Sequence, residues 1–290
     1  MIQKFIVTDE QKGERLDLFL NSKLSNINRS TVQKLIDDRQ VTINGQASAK
    51  HGHKLDAGDK VAVNTAKLTK PSNKSIKLPV IYEDAYVIVI NKPAGILSHS
   101  KGAFNPEATV ATFISQFVKD LGGERAGIVH RLDRDTSGVM ICAKNQEALS
   151  WLQKQFSSRK VKKTYIAVVK GTPEPRSAII DMPIERNPRS PKTFHTSATG
   201  KPATTKYVVI KTVGLMSLLE LRPQTGRTHQ LRVHLAKIKQ PIVGDRFYGG
   251  QPADRLYLHA KSLEITLPSK ERKIFAATLP EEFNKLLAND

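Results

Sequence analysis

The feature that most constrains the fold of this chain is a polar nonapeptide, His130-Arg-Leu-Asp-Arg-Asp-Thr-Ser-Gly138, placed between two apolar runs. Gly127-Ile-Val129 precedes it and Val139-Met-Ile-Cys-Ala143 follows, and both runs have the composition of strands. A segment rich in Asp, Thr, Ser and Gly between such runs predicts a connector that ends in a turn. Its carboxylates then face solvent and any substrate, although the same residue types also form ordinary hairpin turns.

A second dense polar segment is Arg222-Pro-Gln-Thr-Gly-Arg-Thr-His-Gln-Leu-Arg-Val-His234. Neither a periodic helix nor a strand requires this many polar residues in this order, so the segment is a second candidate for a functional site. Its histidines suggest a metal, but His229 and His234 are five residues apart and do not share one face of a helix. No carboxylate lies nearby, and we predict no metal site.

The charge of the chain favours an anionic partner. Its 290 residues include 46 Lys plus Arg against 27 Asp plus Glu, a formal net charge of +19. Such a surplus attracts phosphate backbones without regard to sequence, although solvated lysines also simply keep a protein in solution. The distribution favours RNA binding, because no acidic residue occurs between Asp59 and Glu83 or between Glu185 and Glu220.

Several classes of protein are disfavoured. No apolar run approaches the length of a membrane span, and the first residues lack the apolar core of a secretory signal. The one cysteine, Cys142, lies in an apolar run and rules out an internal disulfide, so we expect a cytoplasmic protein. Ser137 lacks the glycine pattern of a serine hydrolase, and Gly200-Lys-Pro lacks that of a phosphate-binding loop.

Residues 14–64 have the pattern of two helices followed by short strands. Apolar residues first recur at helical spacing, at Leu16, Phe19, Leu20 and Leu24. The period then changes to two around Val41 and Ile43, and Asn44-Gly45 predicts a hairpin turn. The polar, proline-containing stretch from Lys67 to Lys77 predicts a flexible linker.

Beyond residue 78, patterns typical of strands outnumber those typical of helices. Strands are predicted at two runs within Val80 to Ile90, at Tyr165 to Val169, Tyr207 to Val213, Met216 to Leu221 and Leu263 to Leu267. Helices are predicted near Ala108 to Asp120, Gln146 to Phe156 and His229 to Lys237. This mixture predicts an α+β domain.

The nonapeptide resembles the signature of the pseudouridine synthases of the large-subunit ribosomal type, the RluA family. In that family the first aspartate of the motif is essential, so the resemblance assigns the catalytic role to Asp133 rather than Asp135. The corner Asn91-Lys-Pro-Ala-Gly95, the segment Lys163-Thr-Tyr-Ile-Ala167 and the second polar segment are also similar to family motifs. The resemblance extends from Arg15 to about Leu267.

The order of segments from Arg15-Leu-Asp to Val41-Thr-Ile-Asn-Gly resembles the alpha-L RNA-binding domain, with Arg39 in place of the usual glycine. The resemblance implies an alpha-L RNA-binding domain over residues 1–66, a basic linker over 67–78 and a catalytic domain over 79–290. It also implies an α+β fold. A mixed, largely antiparallel sheet forms a catalytic domain with a central cleft, beside a small amino-terminal α/β RNA-binding domain.

The resemblance further implies roles for individual residues. The implied catalytic residues are Asp133, Tyr165 and Arg227, and the implied substrate-binding residues are Arg131, Leu231 and Arg232. Arg227 corresponds to the basic residue that pairs with the catalytic aspartate, and Leu231 corresponds to the hydrophobic residue that lines the uracil pocket. Arg131 corresponds to the residue that fills the space left by the flipped nucleobase. Candidates for contacts to the RNA backbone are Arg29, Lys34, Lys92, Arg189 and Lys192. A solvated surface charge explains the first three equally well.

The implied reaction requires no cofactor. Uridine isomerisation cleaves the bond from ribose to the uracil nitrogen, turns the base and rejoins it through a ring carbon. An ionised Asp133 is suited to attack the sugar, remove a proton or stabilise developing positive charge, and Arg227 is expected to keep it ionised. Tyr165 is suited to stack on the uracil, because a phenol with a pKa of about 10 is a poor base at neutral pH.

The implied partner is RNA. Members with an alpha-L domain mostly act on large-subunit rRNA, whereas related enzymes modify tRNA, and we expect rRNA here. Neither a membrane nor a protein partner is implied, and a monomer is expected. The alternative from another class is a non-catalytic RNA-binding protein of ribosome assembly. The presence of Asp133, Tyr165 and Arg227 favours the enzyme.

Overall fold

The computed structural model describes residues 1–24, 27, 29–47, 50–66, 76–100, 107–118, 121 and 125–288. The chain forms two compact units, Met1–Ser75 with Ser100–Ala108 and Ile76–His99 with Thr109–Asp290, and each has its own internal structure. The linker predicted at 67–78 lies outside the described residues except for its last three positions.

The first unit is an antiparallel sheet of four strands with two helices. Its strands are β1 (Ile2–Ile6), β2 (Val41–Ile43), β3 (Gln46–Ala47) and β4 (Lys60–Asn64), and its helices are α1 (Leu16–Lys23) and α2 (Arg29–Asp37). The strand order is β1-β4-β2-β3. Strand β1 was not predicted, because Ile2 and Ile6 of this edge strand are exposed and its apolar residues do not alternate.

A hydrophobic core joins these helices to the sheet. It buries the four apolar residues whose spacing predicted the first helix: Leu16, Phe19, Leu20 and Leu24. The predicted hairpin is confirmed, since Asn44 and Gly45 have φ angles of 51° and 87° between β2 and β3. Arg39 has a φ of 55°, so this position keeps the left-handed backbone that favours glycine, at a cost of roughly 1–2 kcal/mol.

The second unit is built on a mixed sheet of nine strands. The strands of the unit are β5 (Val80–Glu83), β6 (Val87–Lys92), β7 (Ser137–Ala143), β8 (Lys162–Lys170), β9 (Ser177–Asp181), β10 (Ile184–Arg186), β11 (Phe194–Thr196), β12 (Thr204–Val213), β13 (Met216–Pro223), β14 (Leu258–Thr266) and β15 (Arg272–Ala276). Its helices are α3 (Val110–Ile114), α4 (Gln146–Ser157), α5 (Gln230–Lys237) and α6 (Glu281–Leu286). The helix predicted at 108–120 is thus observed only as α3, and residues 119 and 120 lie outside the described part of the chain.

The sheet order is β5-β6-β7-β14-β8-β13-β12-β9, with β15 paired to β14, while β10 and β11 form a separate pair. Of these strand pairings, that of β7 with β14 is parallel and the others are antiparallel. The predicted α+β class with a largely antiparallel mixed sheet is confirmed.

Strand β7, which begins with the last two residues of the nonapeptide, is buried along its whole length. Its alternate residues enter two separate hydrophobic cores, and burial raises the pKa of the Cys142 thiol, so this residue packs as a small hydrophobe. The strand predicted at 127–129 is not formed. Only one bridge, between Ile128 and Cys142, joins this segment to β7, and Gly127, with a φ of 74°, sets a left-handed backbone there.

The pairing of β7 with β14 explains why the nonapeptide ends in glycine. Gly138 lies opposite Ala260 and has a φ of 118°. A Cβ atom at Gly138 would lie 2.2 Å from the carbonyl oxygen of Ala260, so no other residue fits this approach. The preceding Ser137 Oγ accepts a hydrogen bond from Arg255 Nη2 at 2.6 Å and lies 2.9 Å from His259 Nδ1. These contacts anchor the end of the nonapeptide to β14 and to the segment that precedes it.

Candidate active site

One cavity brings together the six residues that the sequence singled out for catalysis and substrate binding. It has a volume of about 110 Å³, and its lining includes Arg131, Asp133, Tyr165, Arg227, Leu231 and Arg232. They come from the nonapeptide, from β8, from the connection between β13 and α5, and from the first turn of α5. Pockets for drug-sized ligands measure roughly 300–1,000 Å³, so this cavity fits a single small ring.

The loop that carries Asp133 is fixed by the corner that follows β6. Ser98 Oγ donates to the carbonyl oxygen of Leu132 at 2.7 Å and accepts from the Leu132 amide at 3.1 Å. The Gly95 amide donates to the carbonyl oxygen of Arg134 at 2.9 Å. The backbone is therefore held on both sides of Asp133, whose side chain remains 19% exposed.

Lys92 lies beneath this loop, and the prediction that it contacts RNA is wrong. Its side chain is fully buried, and its Nζ donates to the carbonyl oxygens of Pro93, Ile96 and Arg134 at 2.8, 2.8 and 2.9 Å. Burial lowers its pKa to about 7, against the opposing attraction of the nearby aspartates. The reason is its place at the end of the buried strand β6, where all three N–H donors of the ammonium find carbonyl partners.

The ion pair of Asp133 is made by Arg232 and not, as predicted, by Arg227. Arg232 Nη1 lies 3.5 Å from the Asp133 carboxylate, and His229 Nε2 lies 3.9 Å from it. Arg227 instead donates from Nε to the carbonyl oxygen of Pro202 at 3.1 Å. The difference arises because the helix starts only after His229, which places Arg232 on its first turn and leaves Arg227 in the preceding loop.

Arg232 is fixed by residues that the sequence analysis missed. Its guanidinium makes two hydrogen bonds of 2.7 Å to the buried carboxylate of Asp245, and its Cζ lies 5.5 and 5.1 Å from the ring centroids of Phe247 and Tyr248. Such a planar, two-pronged pair holds a guanidinium in one orientation. The sequence of residues 241–250 could have identified these residues. There a carboxylate, two aromatic residues and three glycines come directly after an apolar pair.

His229 connects the same aromatic residues to Asp133. Its Nδ1 lies 2.8 Å from the Tyr248 hydroxyl, which also accepts from the Phe194 amide at 2.9 Å. Burial lowers the pKa of His229, and the attraction of Asp133 opposes this shift only in part. The imidazole is therefore neutral at neutral pH, and it lies close to the Asp133 carboxylate.

Tyr165 and Leu231 form the less polar part of the cavity. Burial, and secondarily the charge of Asp133, raises the pKa of the Tyr165 phenol, so it is protonated at neutral pH. A protonated phenol is suited to stack on a planar ring and to donate a hydrogen bond, but not to remove a proton. The buried Gln230 accepts from the Arg227 amide at 3.0 Å and from Thr225 Oγ1 at 2.6 Å, which fixes the loop opposite Asp133.

The remaining candidates for RNA contact differ in their surroundings. Arg29 binds the buried carboxylate of Asp17, with Nη2 at 2.8 Å, so the fold of the first unit already accounts for it. Lys34, Arg189 and Lys192 are exposed. Within the described part of the chain, these three make no ion pair with a carboxylate.

The described residues contain no group of three or more His, Cys, Asp and Glu side chains that could hold a metal ion. Over the same residues, none of the helices is both long and apolar enough to cross a membrane.

This chain is similar to known proteins over most of its length. The family model for RNA pseudouridylate synthase matches residues 86–237, and that for the S4 domain matches residues 14–61. The ribosomal large subunit pseudouridine synthase D of Borreliella burgdorferi is 37% identical over 300 residues, which cover 97% of this chain and 91% of that protein. The protein of the same name from Yersinia pestis is 35% identical over 302 residues, covering 97% and 92%.

Among solved structures, human RNA pseudouridylate synthase domain containing 4 is similar with a TM-score of 0.58 and 28% identity, over 72% of this chain and 92% of that one. Human RNA pseudouridylate synthase domain containing 1 has the same TM-score at 26% identity, over 71% and 84%. The chain therefore belongs to the RluA family of RNA pseudouridine synthases, which are isomerases, and carries an S4 domain near its amino terminus.

Proposed function

We propose that this enzyme converts specific uridines of large-subunit ribosomal RNA to pseudouridine, with Asp133 as its catalytic carboxylate. The observation that carries the proposal is the Asp133 carboxylate in a cavity suited to one small ring, 3.5 Å from Arg232 and beside Tyr165 and Leu231. The choice of RNA is supported by the relatives, whose names refer to the ribosomal large subunit. The net charge of +19 suits a polyanionic substrate.

The cavity requires the target uridine to leave its base stack. Flipping a base costs on the order of a few kcal/mol. Arg131 is exposed at the rim and takes the place of the flipped base, while the Tyr165 ring and the Leu231 side chain enclose the uracil. Only a base turned out of the RNA then meets Asp133.

The isomerisation breaks the bond between ribose carbon 1′ and uracil nitrogen 1 and forms a bond between carbon 1′ and uracil carbon 5; carbon 5 loses its proton, which reaches solvent, and nitrogen 1 gains one. No electrons are exchanged with a cofactor. Asp133 adds to the ribose, removes a proton from it or stabilises its developing positive charge. Arg232 holds the carboxylate in place. The phenol of Tyr165 positions the ring, and the carbon-5 proton leaves to Asp133 or to water.

In this proposal residues 1–66 bind RNA, residues 67–78 are a linker and residues 79–290 catalyse the reaction. Lys34, Arg189 and Lys192 contact the RNA backbone, because they are exposed cations without a carboxylate partner among the described residues. The enzyme acts as a monomer in the cytoplasm.

The test is tritium release from RNA labelled at uracil carbon 5, with large-subunit rRNA and total tRNA as parallel substrates. The Asp133→Asn variant should lose activity by more than about 100-fold. Asp135→Asn is the matched control, because Asp135 lies in the same loop but is exposed and does not line the catalytic cavity. It should retain wild-type activity.

Release from rRNA that depends on Asp133 but not on Asp135 supports the proposal. Efficient release from tRNA and none from rRNA would overturn the choice of substrate. Tight RNA binding without release from either RNA would favour a non-catalytic protein of ribosome assembly.

A further inference from the structure

A second cavity, which we call the basic pocket, opens beside the catalytic cavity. Its volume is about 500 Å³, and it shares Arg131, Lys163, Tyr165 and Arg227 with the catalytic cavity. Among the described residues that line it there are four cationic side chains and no Asp or Glu; the fourth cation is Arg159. A pocket of this composition attracts an anion.

The cations of the basic pocket have no acidic partners within the described part of the chain. Two cations of the neighbouring surface groove are paired instead: Lys162 with Glu264 at 3.2 Å, and Arg222 with Glu220 at 2.7 Å. The charges of Lys162 and Arg222 are therefore balanced within the protein, whereas Arg159 and Lys163, which also line this groove, have no such partner among the described residues. Those of the basic pocket are left for a ligand.

Lys163 is the most constrained of these cations. Its Nζ donates to the carbonyl oxygen of Thr225 at 2.9 Å, which leaves two of its three donors for another group. Burial removes part of the water around this ammonium group and lowers its pKa to about 8. An anion in the pocket would remove this penalty.

The position of Lys163 also relates the basic pocket to the reacting base. Lys163 and Tyr165 are two residues apart on β8, so their side chains lie on the same face of the strand. The lining of the pocket also includes His130 stacked on Phe156, with ring centroids 4.6 Å apart. Burial lowers the pKa of His130 to about 3, so this stacked pair is neutral and aromatic.

We propose that the basic pocket binds the nucleotide next to the target uridine, with its phosphodiester held by Lys163 and Arg159. This proposal rests on the proposed function, since it assumes an RNA with a uridine in the catalytic cavity. The volume of about 500 Å³ against about 110 Å³ fits a nucleotide beside a single base. The uncompensated cations fit its phosphate, and the aromatic pair fits a base.

The experiment measures binding of a short large-subunit rRNA fragment that the wild-type enzyme modifies. The protein carries Asp133→Asn so that the RNA stays unchanged. Lys163→Met and Arg159→Ala should each weaken binding by roughly tenfold, the low end for a hydrogen bond to a charged group. The control Lys162→Met removes a neighbouring charge that is paired with Glu264, and should change binding by less than about twofold.

The same binding is then measured with fragments that carry one uncharged methylphosphonate linkage directly 5′ or 3′ of the target uridine. At one of these two linkages, the neutral group should weaken binding to the protein that retains Lys163. The same neutral group should not weaken binding further when the protein carries Lys163→Met. Lys163→Arg, which keeps the charge, should restore the sensitivity, and urea unfolding of Lys163→Met checks that this variant is folded.

The proposal is overturned if Lys162→Met and Lys163→Met weaken binding equally, or if neither methylphosphonate distinguishes Lys163 from Lys163→Met. Failure of the proposed function has a different result. In that case the wild-type enzyme releases no tritium from any RNA, whereas failure of the basic pocket alone leaves tritium release intact.

Discussion

The buried ion pair between Arg232 and Asp245 should determine both the stability and the activity of this enzyme. The side chains are 5% and 0% exposed, and two hydrogen bonds of 2.7 Å join them. Asp245→Asn removes the negative charge with almost no change in shape. Arg232 then remains as a buried cation whose nearest carboxylate is Asp133, 3.5 Å away.

The size of the effect follows from the burial. Removing one partner of a buried ion pair costs about 3–5 kcal/mol of the free energy of unfolding, because the remaining charge is uncompensated. The amide that replaces the carboxylate still offers one acceptor oxygen, so we expect a loss of about 3 kcal/mol for Asp245→Asn, the low end of that range. The Phe247 amide also loses a charged acceptor, but Phe247 is half exposed and water can replace it.

The double substitution Arg232→Met with Asp245→Leu separates stability from activity. Apolar residues of similar volume often replace a buried ion pair at little cost, so the double variant should unfold within about 1.5 kcal/mol of the wild type. Its activity should still be reduced, since Asp133 has lost its guanidinium partner. Urea unfolding gives the first quantity and tritium release the second.

Two results would refute this reasoning. A loss of less than about 1 kcal/mol in Asp245→Asn would mean that Arg232 is well solvated despite its burial. A double variant that is fully active would mean that Arg232 does not hold Asp133 in place.

Three further outcomes are expected. Lys92→Met should lower the free energy of unfolding, measured in urea, by at least about 3 kcal/mol, because it leaves buried carbonyl groups unpaired. The affinity for RNA should change by less than about twofold. A loss of RNA binding without a loss of stability would instead support the predicted contact of Lys92 with phosphate. Burial lowers the pKa of His259 from 6.5 to about 4. Between these pH values the unfolded chain binds a proton that the folded protein excludes. The free energy of unfolding should therefore rise with pH by up to about 1.4 kcal/mol per pH unit. His259→Gln should reduce the mean slope measured between pH 5 and 6.5 by about 1 kcal/mol per unit, less than the full value because the unfolded histidine is only half protonated at pH 6.5, and an unchanged slope would show that this histidine does not titrate there. Gly138→Ala should lower the free energy of unfolding by more than about 3 kcal/mol, because its Cβ would lie 2.2 Å from the Ala260 oxygen. The control Gly249→Ala has a φ of 78° with open space around it, and should lower the same quantity by roughly 1–2 kcal/mol. Equal losses in the two variants would contradict the close approach of Gly138 to Ala260.

Much of the fold was predictable because local patterns report local structure. The helical spacing around Leu16 and the Asn44-Gly45 turn depend on neighbours within a few residues, and both predictions are confirmed. The edge strand β1 was missed, since its exposed isoleucines carry no alternation. The strand predicted at 127–129 failed because an apolar composition does not tell a paired strand from a segment that touches β7 at one bridge.

The candidate site divides in the same way. The sequence by itself determined the polar loop that carries Asp133, the strand that carries Tyr165 and the helix turn that carries Leu231, because each lies in a dense local motif. Only the tertiary structure decided that Arg232 rather than Arg227 pairs with Asp133, and that Asp245 orients this arginine.

The burial of Lys92 and the unpaired charge of the basic pocket were likewise decided by tertiary structure. An ion pair or a buried charge depends on which side chains meet in space. In this chain Asp133 and Arg232 are separated by 99 positions along the sequence, and their distance of 3.5 Å is set by the packing of a loop against a helix. Hydrophobic periodicity describes each element alone, so it determines where the loop and the helix are but not which of two nearby arginines the loop contacts.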